Sequence, residues 1–300
     1  MPRVLITGIT GFIGSALEKR FRTLGYDVFG TTTGRPQSSR HYTCNVSSTE
    51  GLEELLRKTD PDIIIHCAAI STVTELDSSS YYLVNVIGTK NVLAAARKLN
   101  REIRFIFFST AGVYGNQNVD LLHESLLPLP VHDYGMSKWC AERWVGLYGD
   151  LLQYTIVRPF NIFGIGQTIN FIIPKLAIAF ATEQREIRLG NIDVYRDYLD
   201  IMTFCRQIEL LIASQKSFGE TVNLCSGQPT SLNQLIDTFQ TICDYEISIT
   251  SAPELIREKE VWKLIGSRAK LDRLIDDREP PRPIEDCLRE MIAYYRSAKK

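Results

Sequence analysis

The sequence predicts an α/β fold in which a doubly wound parallel sheet is accompanied by a smaller C-terminal lobe. Short apolar runs alternate with segments of helix length through the first half of the chain. These runs are continuous rather than alternating, as expected for strands that are covered on both faces. Because strands and helices alternate, the connections between strands should be right-handed crossovers. The 300 residues suffice for one large core or for a main domain with a smaller partner.

Five apolar runs predict the strands of this sheet. They are RVLIT at 3–7, DVFGT at 27–31, DIIIHCA at 62–68, RFIFFS at 104–109 and YTIVRP at 154–159. Four segments between them carry apolar residues at i, i+3 and i+4, which predicts amphipathic helices. In chain order these helices are FIGSALEKRFRTLG, STEGLEELLRKT, YLVNVIGTKNVLAAARKL and GMSKWCAERWVGLYG.

The alternation loosens after residue 160, where a second unit is expected. Helices are predicted near 170–183, 201–215, 231–243 and 284–297, with short strands such as TVNLCS between them. No internal repeat or low-complexity linker separates the two halves of the sequence. We therefore expect a main domain at 1–160, with a return segment near 197–225, and a lobe formed mainly by 161–300. The lobe should lie over the C-terminal edge of the sheet.

Composition and charge exclude several classes of function. The formal net charge is −1 and the Lys and Arg residues are scattered, which supports neither a nucleic-acid partner nor a membrane surface. The N-terminal stretch MPRVLITG is neither a signal peptide nor a membrane span. The seven Cys residues form no C-x-x-C pair and have no His at metal spacing, so no metal site is expected. Cys67, Cys205 and Cys225 lie in apolar surroundings and indicate core residues of a reduced, cytoplasmic protein.

A glycine-rich turn follows the first predicted strand. In ITGITGFIG, Gly8, Gly11 and Gly14 are spaced three apart between that strand and the first helix. Glycine permits a tight turn and lets backbone N–H groups approach a pyrophosphate at the positive end of a helix. Any strand-to-helix turn can use glycine, so the triplet alone is a weak signal. The order of strand, glycines and helix favours a dinucleotide site over an ordinary turn.

The end of the second predicted strand favours NADP(H) over NAD(H). An NAD site usually has an acidic residue here, bonded to the adenosine ribose. This chain has VFGTTTGRP instead, which offers hydroxyls such as that of Thr32, together with Gly34 and Arg35, and no Asp or Glu. A carboxylate would repel a 2′-phosphate, whereas Arg35 could pair with it. The alternative is that Arg35 is only a solvated loop charge.

Three polar residues indicate chemistry at a carbonyl group. Tyr134 and Lys138 are spaced i, i+4 in DYGMSKW, which places them on one face of a helix. Thr110 follows the strand RFIFFS, at the edge of the sheet where ligands bind in such folds. A free tyrosine has a pKa of about 10, and an adjacent ammonium should lower that pKa toward the working range. Thr110 could donate a hydrogen bond to the same substrate oxygen, while a nicotinamide cofactor carries the hydride.

Five motifs in order resemble the extended short-chain dehydrogenase/reductase family. They are the glycine triplet, HCAA, NVIGTKNVLAAAR, STAGVYG and YGMSK, and the resemblance runs nearly end to end. It implies an NADP-binding Rossmann domain at 1–160, a substrate-binding lobe, and catalytic roles for Thr110, Tyr134 and Lys138. Asn45 stands where the family usually has an Asp facing the adenine, and an Asn can still accept from the adenine amino group. The family's other cofactor contacts fall on Phe12, Ile13, Ala68, Ala69 and Pro159.

Two parts of the sequence limit the reactions that can be expected. They are the residues just after Thr110 and the second half of the chain. Members of this family that dehydrate sugars carry acidic side chains just after the catalytic hydroxyl residue, where Ala111 and Gly112 stand here. Dehydration is therefore not expected, which leaves redox at a carbonyl or epimerisation through a transient ketone. The stretches VRPFNIFGIGQ, LGNIDVYRDYLDI, VNLCSGQ and REKEVWKLIGS resemble the GDP-4-keto-6-deoxy-mannose reductases and their GDP-mannose 4,6-dehydratase relatives.

That resemblance implies a substrate site in the second half of the chain. Asn161 and Arg196 would contact the substrate phosphates. Arg257 would pair with the diphosphate, and Glu260 would contact the nucleotide ribose. Arg196 could instead form a structural pair with Asp197 or Asp200. Arg257 lies in the charged run REKE and could equally belong to a solvated helix face.

The expected function is NADPH-dependent reduction of the C4 ketone of a nucleotide-linked 4-keto-6-deoxy-hexose, with GDP as the nucleotide. One alternative within the family is a nucleotide-sugar 4-epimerase with tightly bound NAD. An alternative of another class is a non-catalytic NADP-binding sensor, although a sensor would have no reason to keep the three catalytic residues together.

The sequence also predicts a homodimer. Helices near 81–99 and 135–149 should lie on the same side of the sheet, and each has more apolar surface than one sheet face can cover. Their apolar residues are Tyr81, Tyr82, Val84, Ile87, Leu93, Ala95, Trp139, Trp144, Val145 and Tyr148. Pairing these helices with their copies across a two-fold axis would form a four-helix contact. The alternative is that loops of the substrate lobe cover the aromatic residues.

Overall fold

A computed structural model of the chain describes residues 1–71, 77–252 and 261–298. Its strands are β1 (Arg3–Thr7), β2 (Asp27–Thr32), β3 (His41–Thr43), β4 (Ile63–His66), β5 (Arg104–Phe108), β6 (Gln153–Pro159), β7 (Asn161–Phe163), β8 (Glu186–Leu189), β9 (Tyr195–Asp200), β10 (Glu220–Leu224), β11 (Pro229–Ser231), β12 (Ser248–Ser251) and β13 (Lys263–Leu264). Its α-helices are α1 (Phe12–Thr23), α2 (Leu52–Thr59), α3 (Ser79–Tyr81), α4 (Gly88–Arg97), α5 (Asp133–Leu147), α6 (Ile172–Ala181), α7 (Ile201–Ala213), α8 (Leu232–Cys243), α9 (Ala269–Leu274) and α10 (Ile284–Ser297).

Seven strands form one parallel sheet in the order β10-β6-β5-β4-β1-β2-β3. Each of the five predicted runs supplies one of these strands, and the predicted doubly wound α/β class is confirmed. Helices cover both faces: α1 and α7 pack on one face, and α2, α4 and α5 on the other. The strand order changes direction between β1 and β4, and ligands bind beyond the strand ends at such a switch point.

Two strands of this sheet add to what the sequence predicts. β3 is an edge strand of three residues, which is too short to show a pattern of its own. β10, which contains the predicted run TVNL, pairs with β6 and so completes the main sheet after the chain has passed through the lobe.

A second apolar core lies in the C-terminal half. Side chains of α6, α8 and α10 pack there with those of β8 and β12. Phe180 and Phe239 stack within it, with ring centroids 5.2 Å apart. Strands β11, β9 and β13 form a small sheet, which β7 joins through β9. β7 begins two residues after the end of β6, so the small sheet is connected directly to the edge where the site lies.

Helices α4 and α5 lie on the same face of the sheet, as the crossover rules predict. Their apolar excess is smaller than expected, because four of the residues named for it are buried within the chain itself. These are Tyr81, Leu93, Ala95 and Val145. The exposed apolar side chains are Ile87 (42%), which was named for this surface, and Leu83 (52%) and Leu147 (74%), which were not. The homodimer stays a prediction.

Candidate active site

The predicted glycine loop follows β1 at the switch point and closes against the loop after β4. Gly8 has a φ of +69°, which favours glycine, and a Cβ atom there would lie 2.9 Å from the Cα atom of Ala68. A Cβ atom on Gly14 would lie 2.4 Å from the carbonyl oxygen of Gly8. Both positions therefore require glycine for the loop to fold back on itself.

The start of α1 is built to receive an anion. Gly11 is the N-cap and offers no side chain to the first N–H groups of the helix, and the first turn contains no acidic residue. Phe12 and Ile13 are half-buried and pack against the core that α1 and α7 share. Open N–H groups at a helix N-terminus, reached through glycines, fit the pyrophosphate of a dinucleotide.

A chain of hydrogen bonds fixes the loop after β4, which contains Ala68 and Ala69. The backbone N–H of Ala68 donates to Oγ1 of Thr7, and that hydroxyl lies 2.7 Å from Nδ1 of His66. Nε2 of His66 lies 3.0 Å from Oγ1 of Thr89, whose hydroxyl donates to the Asn85 carbonyl oxygen. His66 therefore carries its proton on Nε2.

The imidazole of His66 is neutral at physiological pH. Burial and the nearby charge of Lys138 lower the pKa of His66 to about 3. The residue is buried, and its two ring nitrogens contact the hydroxyls of Thr7 and Thr89.

Asn85 was missed by the sequence analysis and connects two parts of the site. It is fully buried in a π-helical turn, Tyr82–Ile87, between α3 and α4. Its Oδ1 accepts from the N–H of Ile70, and its Nδ2 donates to the Ile70 carbonyl and to Oγ of Ser137. The side chain thus links the loop after β4 to the helix that carries Tyr134 and Lys138. π-Helical turns of this kind occur often at functional sites.

The end of β2 carries the residues considered for the adenosine half of the cofactor. Oγ1 of Thr32 lies 2.8 Å from that of Thr10 and accepts from the N–H of Gly34 at 3.1 Å. Arg35 is exposed and makes no hydrogen bond or ion pair with any part of the chain that the structure describes. Asn45 is exposed, and its Oδ1 already accepts from the backbone N–H and the hydroxyl of Ser47.

Thr110 and Tyr134 meet at the carboxyl end of β5. Thr110 has extended backbone, and its Oγ1 accepts from the N–H of Gly112, which belongs to a short 3₁₀ turn. Burial raises the pKa of Tyr134 to about 12, while a hydrogen bond with Thr110 acts in the opposite direction. The expectation that the ammonium of Lys138 brings this pKa below its usual value is therefore wrong, because burial of the phenol dominates.

Lys138 lies one helical turn beyond Tyr134 and is buried. Its Nζ atom lies 4.7 Å from the centre of the Phe107 ring. Burial lowers the pKa of Lys138 to about 8, and the charge of Glu142 acts in the opposite direction. Sequence spacing alone places Tyr134 and Lys138 on one face, and the structure brings both to the end of β5.

His132 is a second residue that the sequence analysis missed. Its Nδ1 atom accepts from the N–H of Gly135 at 2.9 Å and caps α5. A Cβ atom on Gly112 would lie 3.3 Å from Cε1 of His132, so the imidazole faces the small residues after Thr110. Ala111 is buried and offers no acid or base.

The predicted substrate residues lie on β7 and β9. Nδ2 of Asn161 donates to the carbonyl oxygen of Asp197, and Nη1 of Arg196 donates to two backbone carbonyls, those of Tyr195 and Trp262. The Asp197 carboxylate accepts from Ser226, Gly227 and Gly266. Asp200 caps α7. The two Nη1 bonds of Arg196 thus go to backbone oxygens and to neither carboxylate.

Two further predicted positions, Arg257 and Glu260, lie outside the described residues. Pro159 ends β6 and pairs with Leu224 of β10. Within 1–71, 77–252 and 261–298, no group of three or more His, Cys, Asp or Glu side chains could hold a metal ion. In the same ranges, none of the helices combines the length and apolar character that a bilayer crossing requires.

A glycine loop that fits a dinucleotide and a Thr, Tyr and Lys group at the same edge of the sheet indicate a nicotinamide-dependent oxidoreductase. The chain belongs to the NAD dependent epimerase/dehydratase family, whose sequence profile matches residues 4–225. The resemblance to the extended short-chain dehydrogenases/reductases is thereby confirmed.

Named relatives extend over nearly the whole chain. GDP-6-deoxy-D-talose 4-dehydrogenase of Aggregatibacter actinomycetemcomitans is 38% identical over 278 residues, which are 90% of each protein. GDP-6-deoxy-D-mannose reductase of Pseudomonas aeruginosa is 29% identical over 90% of this chain and 89% of its own. The solved structure of RMD from Pseudomonas aeruginosa complexed with NADPH superimposes with a TM-score of 0.87 at 26% identity, covering 99% of both chains.

Proposed function

We propose that this protein uses NADPH to reduce the C4 ketone of a GDP-linked 4-keto-6-deoxy-hexose. The observation that carries the proposal is the pair of hydroxyls, Thr110 and Tyr134, at the carboxyl end of β5, followed only by Ala111 and Gly112. Such a pair can hold and protonate a carbonyl oxygen, and the small residues beside it supply no group for dehydration. Two named relatives act on GDP-linked 6-deoxy sugars, one of them at position 4, which supports the substrate class.

The raised pKa of Tyr134 suits the direction of reduction. At about 12 it keeps the phenol protonated at neutral pH, so Tyr134 can donate its proton to the C4 oxygen as negative charge develops there. The Thr110 hydroxyl positions the same oxygen. Lys138 stabilises charge beside the phenol and would bind the nicotinamide ribose. When bound, the nicotinamide cofactor supplies the hydride.

The cofactor site is proposed to prefer NADP(H). Arg35 is exposed beside the end of β2, has no partner among the described residues and can pair with a 2′-phosphate. The N-terminus of α1 would hold the pyrophosphate, with Phe12 and Ile13 beside it. We assign cofactor binding to residues 1–160 with the return segment near 197–225, and substrate binding mainly to 161–300. Asn161 and Arg196, with the predicted Arg257 and Glu260, would contact the nucleotide.

The test measures NADPH oxidation by its absorbance with purified protein and 4-keto-6-deoxy-hexoses linked to GDP, dTDP, UDP or CDP. We expect turnover with the GDP-linked substrate. Tyr134→Phe should lower turnover by about 10²–10⁴ and leave NADPH binding largely intact, because only the proton donor is removed. The proposal fails if none of the four substrates oxidises NADPH.

A 4-epimerase with tightly bound NAD is the second candidate. Epimerisation through a transient ketone would use the same Thr110, Tyr134 and Lys138, and it needs no further acid or base after Thr110. Such an enzyme would purify with its dinucleotide and isomerise a nucleotide sugar with no net consumption of cofactor. Mass spectrometry of the dinucleotide released on denaturation separates the two candidates, since NAD(H) at one equivalent per chain would favour the epimerase.

The protein is further proposed to form a homodimer through α4 and α5. Leu83, Ile87 and Leu147 are exposed apolar side chains on or beside these helices. Burying them against a second copy would remove apolar surface from water. Light scattering at micromolar concentration should show about twice the chain mass of 34.1 kDa. Replacing Leu83 and Leu147 together by Glu should give a monomer, whereas Leu24→Glu, an exposed position at the end of α1, should not.

A further inference from the structure

A buried ion pair lies beneath the helix that carries Tyr134 and Lys138. The side chains of Glu142 on α5 and Arg158 on β6 are each only 6% exposed. Nε of Arg158 donates to Oε1 of Glu142 at 2.9 Å, and Nη2 donates to Oε2 at 2.7 Å. Two parallel bonds fix the direction as well as the distance between the two groups.

The same carboxylate also holds the end of β5. The Ser109 hydroxyl donates to Oε1 of Glu142 at 2.5 Å, and the Ser109 N–H donates to the Val157 carbonyl of β6. Ser109 directly precedes Thr110, and Arg158 directly precedes Pro159. Glu142 therefore contacts two strands at the residues immediately before two predicted site residues.

On its own helix, Glu142 continues the row of site residues. Tyr134, Lys138 and Glu142 are spaced by four and share one face of α5. Any shift of α5 relative to β5 and β6 would move the phenol and the ammonium away from Thr110. A single side chain thus joins the helical half of the site to its strand half.

Stability alone is a poor reason for this pair. Removing two charges from water costs as much as their attraction returns, and an apolar pair of similar volume often stabilises a core equally well. The pair is also incompletely satisfied, because Nη1 of Arg158 has no hydrogen-bond partner among the described residues. Arg158 additionally lies over the Tyr114 ring, 4.9 Å from its centre.

Glu142 also acts on Lys138 through its charge. Tyr134 shares one face of α5 with Lys138, and three titratable groups are coupled to the charge of Lys138, namely His66, Cys67 and Glu142. His66 is neutral, and burial raises the pKa of the Cys67 thiol far above neutrality, so it is protonated as well. Of these three groups, Glu142 is the one that favours the ammonium form of Lys138 at neutral pH.

We infer that Glu142 is a positioning residue, which sets the distance between Thr110 and the Tyr134–Lys138 pair. The inference rests on the proposed reductase function for its kinetic readout only. An NMR titration of ¹³C-labelled lysine side chains needs no sugar substrate and tests it independently.

The central comparison is between Glu142→Gln and the double variant Glu142→Leu with Arg158→Leu. Gln keeps the size of the side chain and removes its charge, whereas the double variant removes both charges and restores an apolar contact. In both we expect kcat to fall by about 10-fold to 100-fold while the KM for NADPH changes little, because the reacting groups are misplaced. In Glu142→Gln the titration of Lys138 should also move to lower pH.

Glu209→Gln provides the matched control, since it removes another Arg–Glu pair between elements, with Arg20 of α1. It should leave kcat and the Lys138 titration unchanged. If Glu142→Gln does not fold, the double variant is used for the test, and its melting temperature shows whether it is folded. A well-folded double variant with wild-type kcat would overturn the inference. An inactive wild type whose Lys138 still responds to Glu142→Gln would refute the proposed reaction only.

Discussion

The imidazole of His132 stacks beside the phenol of Tyr134, with ring centroids 6.0 Å apart and planes inclined by 20°. His132 is at the same time the N-cap of α5, since its Nδ1 accepts from the N–H of Gly135. The first helical turn therefore contains the proposed proton donor and depends on the side chain just before it. If this cap hydrogen bond were lost, the first turn of α5 would fray and Tyr134 would no longer be held in position.

We expect His132→Ala to destabilise the protein by about 1 kcal/mol and to lower kcat, because it removes the cap beside Tyr134. His132→Asn is the matched control, since Asn is a preferred N-cap and should retain most of the stability. Thermal unfolding and steady-state kinetics on both variants make the comparison. Equal stability of the Ala variant and the wild type would contradict the capping role.

The pH dependence of activity should follow Lys138. Its pKa of about 8 means that the ammonium is lost as pH rises through 8, so kcat/KM should fall on the basic side near that pH. Tyr134, with its pKa raised to about 12, remains protonated over this range. In Lys138→Arg the side chain stays charged, so the fall in kcat/KM at high pH should move beyond the measurable range if the variant is active.

The lowered pKa of Lys138 should affect stability in the opposite direction to activity as the pH rises. The pKa of Lys138 lies below its usual 10.5, so between about 8 and 10.5 the folded chain binds fewer protons than the unfolded chain. The contribution of Lys138 to the free energy of unfolding therefore rises with pH in that window, while activity falls. Lys138→Met should remove this pH-dependent contribution, as chemical denaturation at a series of pH values would show.

Arg35 should determine the choice of dinucleotide. A charge-assisted bond to the 2′-phosphate contributes about 1.5–3 kcal/mol, so Arg35→Ala should weaken NADPH binding by about 10-fold to 100-fold and leave NADH binding nearly unchanged. Calorimetric titration with both dinucleotides measures this. Arg57→Ala, an exposed change on α2, should affect neither. Equal loss of both dinucleotides would argue against a 2′-phosphate contact.

Gly14 should not tolerate a side chain. In Gly14→Ala the new Cβ atom would lie 2.4 Å from the backbone oxygen of Gly8, so the loop that is proposed to hold the pyrophosphate must open. We expect loss of dinucleotide binding with a lowered melting temperature. Gly146→Ala on α5 is the control, because nothing lies within 4 Å of its Cβ atom, and it should stabilise the helix by about 0.5–1 kcal/mol. Unimpaired NADPH binding by the Gly14 variant would exclude this arrangement.

The sequence predicts those features of the fold and of the site that depend on local residue patterns. The apolar runs indicate the central strands, and the glycines, Thr110, Tyr134 and Lys138 can be placed because parallel strands end at one edge. The role of Asn85 is not predictable in this way, because a π-helical turn has nearly the same apolar pattern as an α-helix, and one polar residue within it resembles a surface position.

Properties that arise from tertiary burial also escape sequence reasoning. Glu142 has the spacing of an ordinary surface residue on an amphipathic helix, and only the folded chain shows that Ser109 and Arg158 enclose it. The sequence predicts the direction of the Tyr134 pKa shift wrongly for the same reason. Spacing reveals that a lysine lies nearby, but the desolvation of the phenol depends on everything packed around it.

The place of β10 at the end of the main sheet has a consequence for how the chain folds during synthesis. A fragment of the first 160 residues would leave the backbone N–H and C=O groups of β6 unpaired along one side, and exposed strand edges of this kind promote aggregation. It would also lack α7, which covers one face beside α1. During synthesis, the strands made first can therefore complete their sheet only after Glu220–Leu224 has left the ribosome. We expect a truncated protein that ends at residue 160 to be insoluble.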